Sequence, residues 1–353
     1  MYLCPNSRNF KMDRDNFYIN DIYNSLNSDD INFFKKKNIL LLGSDGFLGK
    51  YFVKFFTYLN DKNFQVRVDC LDNNISSSSI NNTPSKYFRF FKKDILKFNS
   101  KKKYDVIIYL AGIASPYLYK KFPFETLQVS YEGMVKYLDK ASNDNSTLIF
   151  FSSSEIYGNP DKKNIPTTEE YYGNVNSFGP RSCYDEGKRI GETLCYIYKN
   201  YKKTKIKIIR PFNVYGSGMN KLDYRVIPNF IRKIKKNETL NIFGDGKQTR
   251  TFCFISDAMT GFLKVISKGK IGEIYNIGND KGEVSMLGLL KIFEKNLKRK
   301  IKFKLIGYPS SYPPDEPQRR CPNILKAKKH LKFSPKVSVS EGIRNYLNEL
   351  KIK

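Results

Sequence analysis

One run of glycines constrains this chain more than any other feature. Asn38 to Leu42 is apolar and strand-length, and it leads into Gly43-Ser-Asp-Gly46-Phe-Leu-Gly49. Lys50 to Leu59 then reads as a helix. Glycine permits the tight turn between strand and helix, and this unit opens parallel α/β sheets. The pattern repeats downstream. Gln65 to Leu71, Asp105 to Leu110, Thr147 to Phe151 and Lys205 to Arg210 read as buried strands. Glu125 to Ala141 and Tyr184 to Tyr201 read as helices between them. Strands alternating with helices predict an α/β fold, a parallel sheet wound on both faces. Beyond Pro211 the pattern is less regular and richer in Gly and Pro, which suits a smaller second domain. Residues 1–35 are polar without a strong apolar period and read as an extension of unknown role; Ser76–Ser79 reads as a loop.

The glycine turn also has a ligand chemistry. Gly43, Gly46 and Gly49 allow close approach of a pyrophosphate to the backbone, and the free N–H groups of the helix start face it. Asp72 ends the next strand. A carboxylate there bonds ribose hydroxyls and repels the extra phosphate of NADP, so the reading favours NAD on a Rossmann sheet.

Composition removes other classes. In 353 residues no apolar run approaches the roughly 20 residues of a membrane-spanning helix. The start, Met1-Tyr-Leu-Cys-Pro-Asn-Ser-Arg8, carries charge soon after where a signal peptide needs apolar residues, so the reading is cytoplasmic with no membrane partner. Six cysteines without a CxxC pair, and a single histidine, His330, leave almost no ligands for zinc; no metal is expected. The net charge of +28 comes from lysines spread along the whole chain. That favours solvated basic faces over a nucleic-acid footprint, and draws in a polyanionic small substrate.

Tyr184 and Lys188 stand four apart on a helix and share a face. An ammonium and a positive nicotinamide ring near a phenol favour its phenolate, making tyrosine a general base. The same spacing recurs at Tyr58/Lys62, Tyr117/Lys121, Tyr198/Lys202 and Tyr201/Lys205. Position selects Tyr184, because it follows the strand end Phe150-Phe-Ser-Ser-Ser-Glu155. Ligands gather at such carboxyl ends, so the Ser152 to Glu155 side chains are expected to face the same substrate.

These residues, with several ordered motifs, resemble the extended short-chain dehydrogenase/reductase family, and within it the UDP-glucuronate decarboxylase (UDP-xylose synthase) branch. The motifs include Leu110-Ala-Gly-Ile-Ala-Ser-Pro116, Ser153-Ser-Glu-Ile-Tyr-Gly158 and Arg181-Ser-Cys-Tyr-Asp-Glu-Gly-Lys-Arg189. Arg210-Pro-Phe-Asn213, Gly244-Asp-Gly-Lys-Gln-Thr-Arg250, Tyr275-Asn-Ile-Gly-Asn279 and Asp315-Glu-Pro-Gln-Arg-Arg320 extend the likeness. The resemblance implies an NAD domain over 36–212, with 249–280 returning to it. Residues 213–248 and 281–353 would bind the nucleotide sugar. Asp94 and Ile95 would flank the adenine. Phe47, Leu48, Asn73, Leu110, Ala111 and Pro211 would join the cofactor surface. Tyr119, Ser154, Asn213, Arg225, Gln248 and Arg250 would hold the substrate. A homodimer is implied, pairing the helices around 125–141 and 184–201.

The resemblance also implies the chemistry. Oxidation at C4 of the sugar opens every reaction of the family. Related 4,6-dehydratases carry Asp-Glu where this chain has Ser154 and Glu155, and related 4-epimerases usually lack the Glu. Ser153, Ser154 and Glu155 therefore look most like the decarboxylases. Tyr184 would be the base at the C4 hydroxyl, with Lys188 lowering its pKa. Ser153 would hold O4, Glu155 would act near C5, and Arg320 would place the carboxylate or help return a proton. Epimerisation or dehydration of a sugar nucleotide is the alternative, and nucleic-acid binding a remote third. The chain departs from the family at Ser130, Tyr131, Ser217, Gly218 and Asn323.

Overall fold

Two helices, α1 (Asp15–Asn24) and α2 (Ser28–Asn32), precede the first strand, β1 (Asn38–Leu42). The computed structural model describes residues 15–75, 84–220, 223–308 and 317–352. Residues 1–14, the Ser76–Ser79 loop and Asp315 of the late motif lie outside them.

The glycine turn leads from β1 into α3 (Phe47–Asp61), followed by β2 (Arg67–Asp72), β3 (Phe88–Lys92) and β4 (Val106–Tyr109). Next come α4 (Pro116–Lys121), α5 (Pro123–Gln128), a π-helical turn at Val129–Gly133, and α6 (Met134–Asp144). β5 (Thr147–Phe151), α7 (Ser182–Tyr201) and β6 (Lys205–Pro211) continue the alternation. Then follow β7 (Val214–Tyr215), α8 (Val226–Lys235), β8 (Leu240–Phe243), β9 (Thr249–Arg250), β10 (Cys253–Phe254) and α9 (Ile255–Lys268). The chain ends with β11 (Ile274–Ile277), β12 (Val284–Ser285), α10 (Met286–Leu297), β13 (Phe303–Ile306), β14 (Arg319–Arg320), α11 (Leu325–Leu331) and α12 (Val339–Glu349).

Seven strands form one parallel sheet in the order β11-β6-β5-β4-β1-β2-β3. Side chains on a strand alternate between faces, so each face needs its own cover. Ile39 and Leu41 of β1 join a core with Phe52 and Phe55 of α3 and Met259 of α9. Leu40 and Leu42 point the other way, to Met134 and Leu138 of α6 and Leu194 of α7. This is the doubly wound α/β architecture that the alternating pattern predicts. The sequence reading did not mark β3. It is an edge strand whose apolar run is broken by Arg89, and only Phe88 is fully buried.

Two expectations are corrected. The helix read as continuous over Glu125 to Ala141 is interrupted by the π turn. The Tyr109 hydroxyl donates to the Val129 carbonyl at 2.6 Å, inserting into the helix ladder. Gly133 leaves room for that hydroxyl, which a Cβ would meet. Second, residues 15–35 are not without an apolar period. Tyr18, Ile19, Ile22 and Leu26 are buried at helical spacing. The Tyr18 ring meets Phe254 at 5.1 Å, and Tyr23 meets Tyr58 at 5.2 Å. Asp30 is fully buried and accepts from Ser267 at 2.8 Å and Lys268 at 3.2 Å on α9. The short amphipathic stripe was hidden by the Asn and Asp residues around it.

Candidate active site

The carboxyl ends of β1, β4, β5 and β6 open onto one cleft of ≈ 1010 Å³. Its far wall comes from α8, β8, β9 and β14. Three glycines shape the cofactor end. Gly43 has φ +89°, and a Cβ there would lie 2.9 Å from the Ala111 nitrogen. At Gly49 a Cβ would meet the carbonyls of Gly43 and Ser44. Gly46 caps α3 without a side-chain partner, so the helix start turns bare backbone N–H groups to the cleft. This tight turn, whose backbone a side chain at Gly43 or Gly49 would push apart, fits the pyrophosphate of a dinucleotide.

Phe47, Leu48, Leu110 and Pro211 line the same end. Asp72, Asn73, Asp94, Ile95 and Ala111 do not line the cleft. Asp72 accepts from the Asp45 N–H at 2.9 Å and the Asn74 N–H at 2.8 Å, behind the glycine turn. Asp94 caps its own turn through Leu96 N–H at 2.9 Å, and Ile95 is packed in the α6 core. Asn73 is exposed.

Tyr184 and Lys188 project from α7 into the middle of the cleft. Tyr184 stacks on Tyr119, with ring centroids 5.3 Å apart. Lys188 Nζ donates to the Phe151 carbonyl at 2.8 Å and stands 5.9 Å from the Tyr184 ring centre. Burial drives the Lys188 ammonium down to about 8, against the pull of Glu192. The expected lowering of Tyr184 is not produced by the protein's own groups. Burial pushes its phenol up to about 12; a hydrogen bond with Ser153 opposes this, and the charges of Glu155 and Asp185 add to it. A positive nicotinamide ring beside Tyr184 would add the charge that favours a phenolate.

Ser153, Ser154 and Glu155 face the cleft from the end of β5. Ser152 lines the cleft with them, its hydroxyl already engaged. The hydroxyl turns to Glu192 at 2.5 Å, which Arg210 grips at 2.9 and 2.6 Å. Arg210 also donates to the Tyr157 hydroxyl at 2.6 Å, which donates to Asn276 at 2.7 Å. This buried network fixes the floor under the β5 end.

Glu155 is held from two sides. Arg320 donates to its two oxygens at 2.5 and 2.8 Å, and Arg181 donates to the second. Burial works to raise the Glu155 carboxyl, but Arg320 and Arg181 prevail and hold it below the ordinary range. Backbone pairing delivers Arg320: β14 runs beside β9, Thr167 N–H donates to the Cys321 carbonyl at 2.9 Å, and Asn323 N–H to Thr167 at 2.8 Å. Arg181 continues to Asp185 at 3.1 Å. Burial pushes Asp185 up to about 7, with Arg181 opposing and Glu155 adding to the rise. Sequence reasoning gave Arg181 and Asp185 no role. Their i, i+4 spacing was the available signal.

The remaining sequence candidates line the far wall. Asn213 donates to the Thr251 carbonyl at 2.8 Å, and Gln248 to the Phe243 carbonyl at 3.2 Å. Arg225 is gripped by Asp223 at 3.0 and 2.5 Å. Arg250 donates to the carbonyls of Thr249, Gln318 and Pro317, which ties it to the segment carrying Arg320.

A dinucleotide cradle, a buried tyrosine–lysine pair and a charged wall facing it define a short-chain oxidoreductase-type site on an α/β sheet. Residues 39–278 match the model of the NAD dependent epimerase/dehydratase family. The chain is 36% identical over 309 residues to UDP-glucuronic acid decarboxylase 6 of Arabidopsis thaliana, covering 86% of each chain. It is 36% identical over 239 residues to UDP-glucuronic acid decarboxylase 1 of Danio rerio, covering 68% of this chain and 55% of that protein. The fold superposes with TM-score 0.78 on UDP-glucose 4-epimerase of Thermotoga maritima, at 23% identity, over 89% of this chain and 98% of that one. UDP-glucuronic acid 4-epimerase of Bacillus cereus, solved with UDP-glucuronic acid and NAD, gives 0.74 at 26% identity, over 89% and 99%. The chain belongs to the NAD dependent epimerase/dehydratase family, and its cofactor is NAD. No helix among the described residues is long and apolar enough to cross a membrane.

Proposed function

We propose that the protein decarboxylates UDP-glucuronate through a 4-keto intermediate and releases UDP-xylose. One observation carries this reading. Arg320 is paired with Glu155 beside Ser153 and Tyr184, at the point where a substrate sugar would meet the tyrosine. A guanidinium suits a carboxylate because its fork donates two parallel bonds. The substrate's C6 carboxylate competes with Glu155 for that fork. The names and coverage of the plant and fish relatives support the same reaction.

NAD, which the Gly43–Gly49 turn with Tyr184 and Lys188 would hold, would supply the hydride chemistry at C4. Tyr184 accepts the C4 hydroxyl proton, with Ser153 bonded to O4. The C4 ketone makes the C6 carboxylate a β-keto acid. The C5–C6 bond breaks, carbon dioxide leaves, and the electron pair moves onto O4, where Tyr184 and Ser153 hold the enolate. C5 then takes a proton. Glu155, kept ionised by Arg181 when the substrate carboxylate takes Arg320, acts by ordering the water that supplies this proton. Asn213, Arg225, Gln248 and Arg250 hold the nucleotide diphosphate along the far wall.

The Bacillus cereus likeness favours a second reading, epimerisation at C4 with the carboxylate retained. Release of carbon dioxide from UDP-glucuronate separates the two. Tyr184→Phe is expected to lower its rate by about 10²–10⁴-fold; a rate within about threefold of wild type would remove Tyr184 from the chemistry. We also place a homodimer interface on the α5–α7 face, where Phe124, Leu127, Tyr196 and Ile197 are exposed. A monomeric mass in sedimentation equilibrium would refute it.

A further inference from the structure

We propose that Asp45, inside the glycine turn, is a second determinant of NAD selectivity, acting with Asp72 against the 2′-phosphate of NADP. The proposal concerns cofactor choice alone and does not depend on the decarboxylation reading.

Asp72 is the carboxylate that sequence logic selects, yet it stands behind the turn. Its Oδ2 accepts from the Asp45 N–H at 2.9 Å and its Oδ1 from the Asn74 N–H at 2.8 Å. Of these two carboxylates, Asp45 lines the cleft. Its Oδ2 accepts from Asn74 Nδ2 at 2.6 Å. Asp45, Asp72 and Asn74 thus close a ring that places two carboxylates together at the ends of β1 and β2. Asn74 adopts φ +60°, a left-handed conformation that asparagine tolerates.

An acidic side chain in a phosphate-binding turn would ordinarily oppose its ligand. Here Asn74 draws the carboxylate toward β2, the side where the adenosine ribose lies in this fold. The bare N–H groups that begin α3 remain turned to the pyrophosphate. The Asp45 backbone N–H itself is engaged by Asp72. Burial and the charge of Asp72 raise the Asp45 carboxyl, while Asn74 and Lys50 work to lower it. The upward influence of Asp72 reflects the closeness of the two groups. A ribose diol can donate to Asp45, whereas a 2′-phosphate meets its charge with that of Asp72 behind it.

This arrangement has a consequence for cofactor switching. Removing Asp72 alone leaves one carboxylate at the ribose edge, so a preference for NAD persists. The test is calorimetric titration of the full chain, freed of dinucleotide, with NAD⁺ and with NADP⁺. Wild type, Asp45→Asn, Asp72→Asn and the double variant are compared by the ratio of the two dissociation constants. The asparagine variants keep size and hydrogen-bonding shape. Each single change is expected to reduce the preference on the order of tenfold, and the double change to reduce it further. An Asp45→Asn ratio equal to wild type, with Asp72→Asn alone abolishing the preference, would overturn the proposal. So would a wild type that binds the two dinucleotides equally. Loss of both dinucleotides in Asp45→Asn would also overturn it, assigning Asp45 to the shape of the turn.

Discussion

Asp185, Arg181, Glu155 and Arg320 form one chain of alternating acidic and basic side chains, the last three lining the cleft. All four are shielded from solvent, so each charge depends on its neighbours, and removing one leaves another uncompensated. Asp185 gives this set a readable pH signature. Its folded value of about 7 lies above the ordinary 3.8, so the folded state holds the extra proton between those limits. The resulting stabilisation is full below the ordinary value and is lost as pH rises through about 7. Glu155, shifted downward, acts in a more acidic window. Urea unfolding is expected to show wild-type stability falling, relative to Asp185→Asn, as pH rises from about 4 to 7. Parallel curves for the two proteins would contradict a buried, upward-shifted Asp185. At this scale Tyr184, Lys188 and Glu155 were legible, because their order relative to a strand end marks them. Arg181 and Asp185 were not, since an i, i+4 ion pair on a helix reads as surface charge until burial is known. The upward pull that burial exerts on Tyr184 was not legible either, because burial is a tertiary property.

The π turn between α5 and α6 illustrates what periodicity cannot carry. Apolar spacing across Glu125 to Ala141 is helical throughout, and nothing local marks Val129 as the acceptor for a tyrosine on β4. Gly133 is required because the Tyr109 hydroxyl occupies the space of its Cβ, with Ile95 Cδ1 at 3.0 Å from the same point. Gly133→Ala is expected to cost about 1–3 kcal/mol through overpacking. Tyr109→Phe removes the obstructing oxygen, so the two changes should couple, and the double variant should recover part of the loss. Additive costs in chemical denaturation would mean that the hydroxyl does not shape the turn. Other elements divide in the same way. β1 and β5 were readable to the residue because every residue after the first is buried. The edge strand β3 and the helices α1 and α2 were obscured, since charged and amide side chains dilute the buried faces.

The molecule brings together what the sequence holds far apart. The glycine turn, the β5 end and α7 belong to the alternating first two-thirds, whose strand order follows from doubly wound topology. Arg320 reaches Glu155 from far beyond it, through the pairing of β14 with β9 and the junction at Thr167. Motif resemblance suggested that meeting, but no local pattern encodes it, because the short pairings of β9, β12 and β14 are two residues each. The net charge of +28 gives the whole molecule a field that attracts polyanions. Loss of the sugar's carboxylate in this cleft, as proposed, is read by incubating the purified protein with UDP-glucuronate and NAD⁺ in deuterated water and weighing the nucleotide sugar. The expected product is lighter by one carbon dioxide relative to the free acid, reduced at C4, with one solvent deuterium at C5. A nucleotide sugar that keeps its carboxyl carbon, whether unchanged or epimerised at C4, would contradict the proposal.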